Sequence, residues 1–394
     1  MVMPYCPYPP DYGAAIRSFY ILRELTKRYE VSVALLGQPD SEAILHETGM
    51  RLADVATVPV PEMPGQLKKR FQQLVSLLGP RTSMSVIQSS SLLRAKIEEL
   101  AEARKFDLVH IEHFPLASHA DGLGGLPRVV DAHNVEYDNI RRLAAVTSSP
   151  MRRFFYSVES RKMKKEELRA YRRSDLVFAA SDRDAEILVP DLRGTPAVVI
   201  PNGVDTDAFT PPGEDPEPGT IVFVGALNYA PNADGIGYFL REIYPMVRRQ
   251  HPGVRLSIVG GGVPAWLRGL EDTSVRVTGY VKDIRPYLHR ASVAIVPLRA
   301  GGGTRLKVLE AMAAEKAIVS TSIGCEGIEV SGGDSLMLAD EPAEFAAAVV
   351  QLLENPGRGR AMGARGRELA RALYDWNVIG ERIAEAYEGV KARG

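Results

Sequence analysis

Short apolar runs rich in Val, Ile and Ala alternate with amphipathic stretches from end to end of this 394-residue chain. That alternation restricts the fold more than any other feature. A strand that returns parallel to its predecessor needs a crossover of a dozen or more residues, normally a helix, so the pattern specifies parallel sheets covered by helices. The strand candidates are 31–36, 55–60, 108–114, 128–133, 176–180 and 197–200 in the first half, and 220–226, 255–260, 275–279, 293–298, 317–321 and 335–339 in the second. Each set suits one doubly wound sheet, and the length suits two α/β domains rather than one core. Between the sets, Thr210-Pro-Pro-Gly-Glu-Asp-Pro-Glu-Pro-Gly219 resists helix and strand and reads as an interdomain linker. We therefore expect domains over 1–200 and 220–375 with a linker over 201–219. A last helix is expected at 376–394, with Trp376, Ile379, Ile383 and Tyr387 on one face. Only Met1-Val-Met-Pro4 precedes the first loop, fewer than the roughly five residues usual for a strand, so a shortened N-terminus is expected.

The 48 basic and 49 acidic residues balance, so charge does not nominate a nucleic acid as partner. Cys6 and Cys325 are far apart and lack metal-ligand spacing, which supports neither a disulfide framework nor a zinc site and suits a reducing cytoplasm. The N-terminus lacks a basic region followed by an apolar stretch, and no apolar run approaches the roughly 18 residues of a membrane span, so a cytoplasmic protein is expected. Two basic stretches, 66–78 and 151–173, could rest on an anionic membrane surface. They read equally as solvated helix faces with Glu166 and Glu167 as partners.

The strand candidate at 293–298 runs into Arg299-Ala-Gly301-Gly302-Gly303-Thr304-Arg305-Leu-Lys307-Val-Leu-Glu310. A buried strand ending in a glycine-rich turn that opens a helix points main-chain N–H groups at whatever lies above the helix start, where the dipole favours an anion, most often phosphate. Arg305 and Lys307 add positive charge in the first turn, and Glu310 adds a carboxylate able to accept hydrogen bonds from a sugar diol. A nucleotide sugar fits all three features. The plainer reading is a packed strand-to-helix joint with Lys307 and Glu310 as a surface pair. His133, in Val130-Asp-Ala-His133-Asn134, ends a strand candidate where open α/β sheets bind ligands, although a lone histidine also serves structure. The loop Pro9-Pro-Asp11-Tyr-Gly13-Ala-Ala-Ile-Arg17 opens the first helix, as a ligand loop or as a simple turn. Asp182-Arg-Asp184 and Asp205-Thr-Asp207 are rejected as metal sites, because Asp182 reads as a helix N-cap and Asp205 as a turn residue. No metal and no cofactor are expected.

Taken together, Val199-Ile-Pro-Asn-Gly-Val-Asp205-x-x-x-Phe209, then Val259-Gly-Gly261-Gly262, then the segment 303–312 resemble the retaining glycosyltransferases of family 4, over essentially the whole chain. The resemblance implies the α/β GT-B fold of two facing Rossmann-like doubly wound domains, with the C-terminal helix crossing back to the N-terminal domain. It implies a nucleotide-sugar donor on the C-terminal domain, and a glycan, lipid-linked or small-molecule acceptor on the N-terminal one, as in polysaccharide or glycoconjugate biosynthesis. Glu310 matches the glutamate that holds the ribose hydroxyls, whereas Gly302 stands where the family has a glutamate contacting the donor hexose. The loop Gly225-Ala-Leu-Asn228-Tyr-Ala-Pro-Asn232 lacks the arginine and lysine that commonly hold the diphosphate there. We infer that Arg305 and Lys307 replace them, the alternative being that both face solvent. By the same resemblance Gly225, Asn228, Gly261, Gly302, Gly303 and Thr304 line the donor site, His133 lies beside the transferred sugar, and Asp11, Gly13 and Arg17 belong to the acceptor or phosphate loop. Two other functions suit this fold: a nucleotide-sugar epimerase, or a catalytically inactive binding subunit. An epimerase needs further acid–base residues, and the seven histidines show no such cluster in sequence.

Overall fold

The computed structural model describes residues 1–60, 79–147, 149–211, 213–301, 305–330 and 333–392. The basic stretch at 66–78 and the site candidates Gly302, Gly303 and Thr304 lie outside the described residues. The chain divides into two compact units, Met1–Pro201 with Gly380–Gly394, and Asn202–Ile379.

The first unit holds β1 (Val2–Met3), β2 (Val31–Gly37), β3 (Leu52–Pro59), β4 (Val109–Glu112), β5 (Arg128–Ala132), β6 (Leu176–Ala179) and β7 (Ala197–Val199). They form one parallel sheet in the order β3-β2-β1-β4-β5-β6-β7. The second unit holds β8 (Thr220–Val224), β9 (Arg255–Val259), β10 (Val275–Gly279), β11 (Val293–Val296), β12 (Ala317–Ser320) and β13 (Met337–Leu338). These are parallel in the order β10-β9-β8-β11-β12-β13. Strands such as β6, β11 and β12 are buried at every residue, as expected of parallel strands covered on both faces, which is why they read as unbroken apolar runs. In each sheet the winding reverses at one place, between β1 and β4 and between β8 and β11. Ligands of open α/β sheets gather beyond the carboxyl ends of the strands at such a reversal.

Several elements differ from the sequence expectation for local reasons. Two residues make a central strand of β1 because both flanks pair: Val2 lies in register with Ala34 of β2 and Ile111 of β4. β4 stops at Glu112 because His113 adopts φ 79°, a left-handed conformation that no strand continues. The cap of the helix Asp182–Leu188 is Ser181, not Asp182: its side chain accepts from the Asp184 N–H at 3.2 Å. The stretch expected as a linker groups with the second unit. There Val204 N–H donates to Tyr374 O (2.8 Å), Glu217 N–H to Arg290 O (2.9 Å), and Ala208 N–H to the Asp205 carboxylate (3.0 Å). The helix Trp376–Lys391 buries Trp376, Ile379, Ile383 and Tyr387 almost completely. Its residues from Gly380 onward belong to the first unit. Among the described residues no helix is long and apolar enough to cross a membrane.

Candidate active site

In the second unit the reversal point is built from glycine loops and one lysine. Gly260 has φ 155°, and a Cβ there would lie 2.0 Å from Gly225 O, so the turns after β8 and β9 approach more closely than any side chain permits. Gly225 N–H donates to Val259 O (2.9 Å) and Leu227 N–H to Gly261 O (2.7 Å), which ties the two turns together. Gly262 (φ 73°) packs on Asn228, which is exposed. Into the space left by Gly225 comes Lys307, from the first turn of the helix Leu306–Ala313. A Cβ at Gly225 would sit 2.6 Å from Lys307 Nζ. That ammonium donates to Asn232 Oδ1 (2.7 Å) and stands 4.7 Å above the Phe223 ring, while Asn232 Nδ2 donates to Ala226 O (2.8 Å). The lysine thus brings its charge to the turn after β8, where the sequence has no cation of its own.

Arg305 is buried and turned the other way, over Gly301 and onto Ile323 O at 3.4 Å. Neither cation is a freely solvated surface group. Glu310, one turn beyond Lys307, is half-buried and has no hydrogen-bond or ion-pair partner among the described residues. Burial pulls the Lys307 pKa down to about 7, helped by Arg305 and opposed by Glu310. The same burial pushes the Glu310 carboxyl up to about 7, opposed by Lys307. A partly desolvated carboxylate without a donor and an ammonium with spare hydrogens can hold a diol and an anion respectively.

In the first unit the reversal point carries a buried polar cluster. Arg17 lies on the helix Gly13–Thr26, and its guanidinium grips the Asp131 carboxylate of β5 through two 2.7 Å hydrogen bonds, both groups being fully buried. The expectation that Arg17 serves a phosphate loop is corrected: its charge faces inward and is neutralised by Asp131. Asp11 and Gly13 stay at the exposed start of that helix. His133, one residue past β5, donates from Nε2 to Glu112 Oε2 (2.5 Å) and lies 3.6 Å from Asp131. Ser18 Oγ also donates to Glu112 Oε2 (2.7 Å), and His110 Nε2 contacts Oε1 (3.0 Å) while its Nδ1 meets Tyr387 Oη (2.6 Å). Burial alone would lower the His133 pKa, but the Glu112 and Asp131 charges outweigh it and raise it above the ordinary value. Burial likewise opposes ionisation of Glu112, yet His133 and His110 hold its carboxyl well below the usual range.

Ligand-type atoms of His110, Glu112 and Asp131 come within 4.8 Å of one another. All of them already engage Tyr387, His133, Ser18 or Arg17, so the set reads as a hydrogen-bond network. The expectation of no acid–base cluster is thereby corrected, since His110, Glu112, Asp131 and His133 meet at adjacent strand ends. His113 stands edge-on to His133, with ring centroids 5.5 Å apart.

The description "Glycosyltransferase Family 4" matches residues 12–208, half of the chain, and "Glycosyl transferases group 1" matches 218–355. The chain belongs to glycosyltransferase family 4. The phosphatidyl-myo-inositol mannosyltransferase of Mycobacterium tuberculosis is 31% identical to the chain over 216 residues, covering 51% of this chain and 56% of its own length. The alignment thus spans little more than half the length of that mannosyltransferase. The glycogen synthase of the same organism is 26% identical over 321 residues, 76% of this chain and 74% of its own. Sucrose-phosphate synthase from Thermosynechococcus elongatus superposes with a TM-score of 0.70 at 16% identity, covering 100% of this chain and 99% of that one. Anabaena HepE in complex with UDP gives 0.70 at 16%, over 98% and 99%. The fold is the α/β GT-B fold.

Sequence reasoning missed Asn232, Glu112, His110, Asp131 and Tyr387 as site residues. A signal existed for three of them: His110 and Glu112 interrupt the apolar run of β4, and Asp131 that of β5, and a polar residue kept inside a buried strand needs a partner. Tyr387 carried none, since its partner lies 277 residues away.

Proposed function

We propose that this family-4 chain is a retaining, metal-independent glycosyltransferase that moves a hexose from a nucleotide-diphosphate sugar to a glycan, lipid-linked or small-molecule acceptor. The observation that carries the reading is the pairing of Lys307, delivered to the Gly225 turn, with Glu310 one helical turn away, which has no partner among the described residues. Lys307 and main-chain amides hold the diphosphate, and Glu310 accepts hydrogen bonds from the ribose hydroxyls, while Arg305, turned onto Ile323 O, adds charge without a direct contact. These cations supply the charge that a divalent ion contributes in metal-dependent transferases. In the transfer step the bond from the anomeric carbon to the leaving phosphate oxygen breaks. The acceptor oxygen bonds to the same face, and its proton passes to the departing phosphate. His133 stabilises the sugar by a hydrogen bond, so the protein contributes positioning and charge.

The UDP and UDP-glucose bound in the HepE structures make UDP-sugars the first donors to try. The mannosyltransferase relatives make mannose donors the next. A lipid-linked acceptor would require peripheral contact with an anionic membrane from the cytoplasmic side, a reading supported by exposed Met151 and Phe154 beside Arg152 and Arg153. The cluster around His133 favours one second reading, a nucleotide-sugar epimerase of the same fold.

A thermal-shift and hydrolysis screen of UDP-, GDP- and ADP-sugars in EDTA, on wild type and Glu310→Ala, tests the proposal. We expect one donor to raise Tm and to be hydrolysed slowly, and Glu310→Ala to lose both. Glu310→Ala binding the donor like wild type refutes the placement, and a donor returned as its epimer replaces the transferase reading with the second one.

A further inference from the structure

The geometry points to Glu112 as the positioning residue that holds His133 as an imidazolium with its Nδ1–H reserved for a ligand oxygen, and to Tyr387, through His110, as the group that fixes this carboxylate. Glu112 is fully buried and meets three side chains, His133 Nε2, Ser18 Oγ and His110 Nε2, and His133 and His110 hold its carboxyl well below the usual range. An ionised carboxylate can only accept. Both rings must therefore carry a proton on Nε2. Tyr387 stays protonated, its pKa raised by burial, and its hydroxyl lies 2.6 Å from His110 Nδ1, which fixes that ring against Glu112.

The buried charges then have one balanced solution. Arg17 is neutralised by Asp131 through both oxygens. Among the described residues Glu112 contacts no other cation than His133, since Arg17 is paired with Asp131 and burial lowers the nearby Met1 amino group to about 5, and a buried carboxylate without a counter-charge is strongly disfavoured. The groups facing His133 agree from every side. Asp131 at 3.6 Å adds a second negative charge from its own strand, Arg17 from the first helix is already paired, and His113 from the β4 end leans on Glu136 (3.6 Å) instead. The ring so charged has a proton on Nδ1, and that buried atom has no hydrogen-bond partner among the described residues. An unpaired buried N–H is costly, and an oxygen of the bound ligand would satisfy it. That the ligand is the donor sugar or its phosphate rests on the transferase reading, whereas the charge state does not.

The test is a histidine-selective 15N NMR titration of the full chain between pH 5.5 and 8.5, with the His133 signal assigned by its loss in His133→Gln. We expect His133 to remain charged at pH 7.5 in wild type, and to titrate at least tenfold more easily in Glu112→Gln. Tyr387→Phe should shift the His110 ring signals without changing the folded spectrum elsewhere. Donor hydrolysis gives the second readout: the alkaline fall in kcat moves down by a pH unit or more in Glu112→Gln with donor KM unchanged, and Glu112→Asp restores part of it. A neutral wild-type His133 at pH 7.5 overturns the proposal by itself, even if the Glu112 variants do not fold. So does a His133 titration that Glu112→Gln leaves in place. A charged His133 in a chain that binds no nucleotide sugar would instead overturn the transferase reading and leave this one standing.

Discussion

If the proposed assignment holds, Lys307 and Glu310 make donor binding a proton-linked event with a sign that reverses near neutrality. Both groups have pKa values of about 7 in the free protein. A diphosphate needs the lysine charged, and a ribose diol needs the carboxylate ionised. Below pH 7 the lysine is ready but the carboxyl must lose its proton; above pH 7 the carboxylate is ready but the lysine must gain one. The fraction of molecules with both groups correct is highest at pH 7, so affinity should fall about threefold at pH 6 or pH 8 and about eightfold at pH 5.5 or pH 8.5. Isothermal titration of a UDP-sugar, whose diphosphate stays ionised throughout, in buffers of different ionisation enthalpy counts the protons directly. We expect net release of about 0.8 proton at pH 6 and net uptake of about 0.8 at pH 8. Lys307→Met should remove the alkaline limb and Glu310→Gln the acid limb. Flat affinity from pH 6 to pH 8 with no proton exchange, or both limbs surviving in both variants, refutes the assignment of these two residues to the donor.

Gly225→Ala puts a Cβ 2.6 Å from Lys307 Nζ and 2.8 Å from Asn232 Nδ2, both ends of flexible side chains. Losing the placed ammonium should cost about 1.5–3 kcal/mol of donor binding, roughly 10- to 150-fold, with Tm almost unchanged. Gly260→Ala instead meets backbone oxygen at 2.0 Å, so calorimetry should show it losing Tm before any binding defect can be read. Arg17→Met leaves Asp131 buried and uncompensated, and urea unfolding should show the first unit destabilised by about 3–5 kcal/mol. A loss under about 1 kcal/mol would mean that Asp131 finds another partner or a proton.

The layered architecture was legible because parallel strands buried on both faces leave unbroken apolar runs, and β11 is found at 293–296 within the run 293–298. β1 was not, since a strand flanked on both sides needs less length of its own, and such pairing is invisible in the local string. Lys307 and Glu310 were legible through spacing along one helix. Asn232 was hidden because its role depends on the Gly225 turn bringing it to a residue 75 positions away. Arg17 misled for a related reason: a cation beside a glycine loop looks the same in sequence whether it faces a phosphate or a buried aspartate.

The division of the chain also bears on the order in which it is made. The second unit, Asn202–Ile379, is an insertion within the first, whose core closes only when Tyr387 stacks on Phe178 and bonds His110. On a ribosome adding about 5–20 residues each second, the early unit waits roughly ten to forty seconds for that tyrosine, while the later unit already has every strand it needs. The half that begins first is therefore completed last. During that interval His110 lacks its final partner, although all seven strands of the first sheet have already been made.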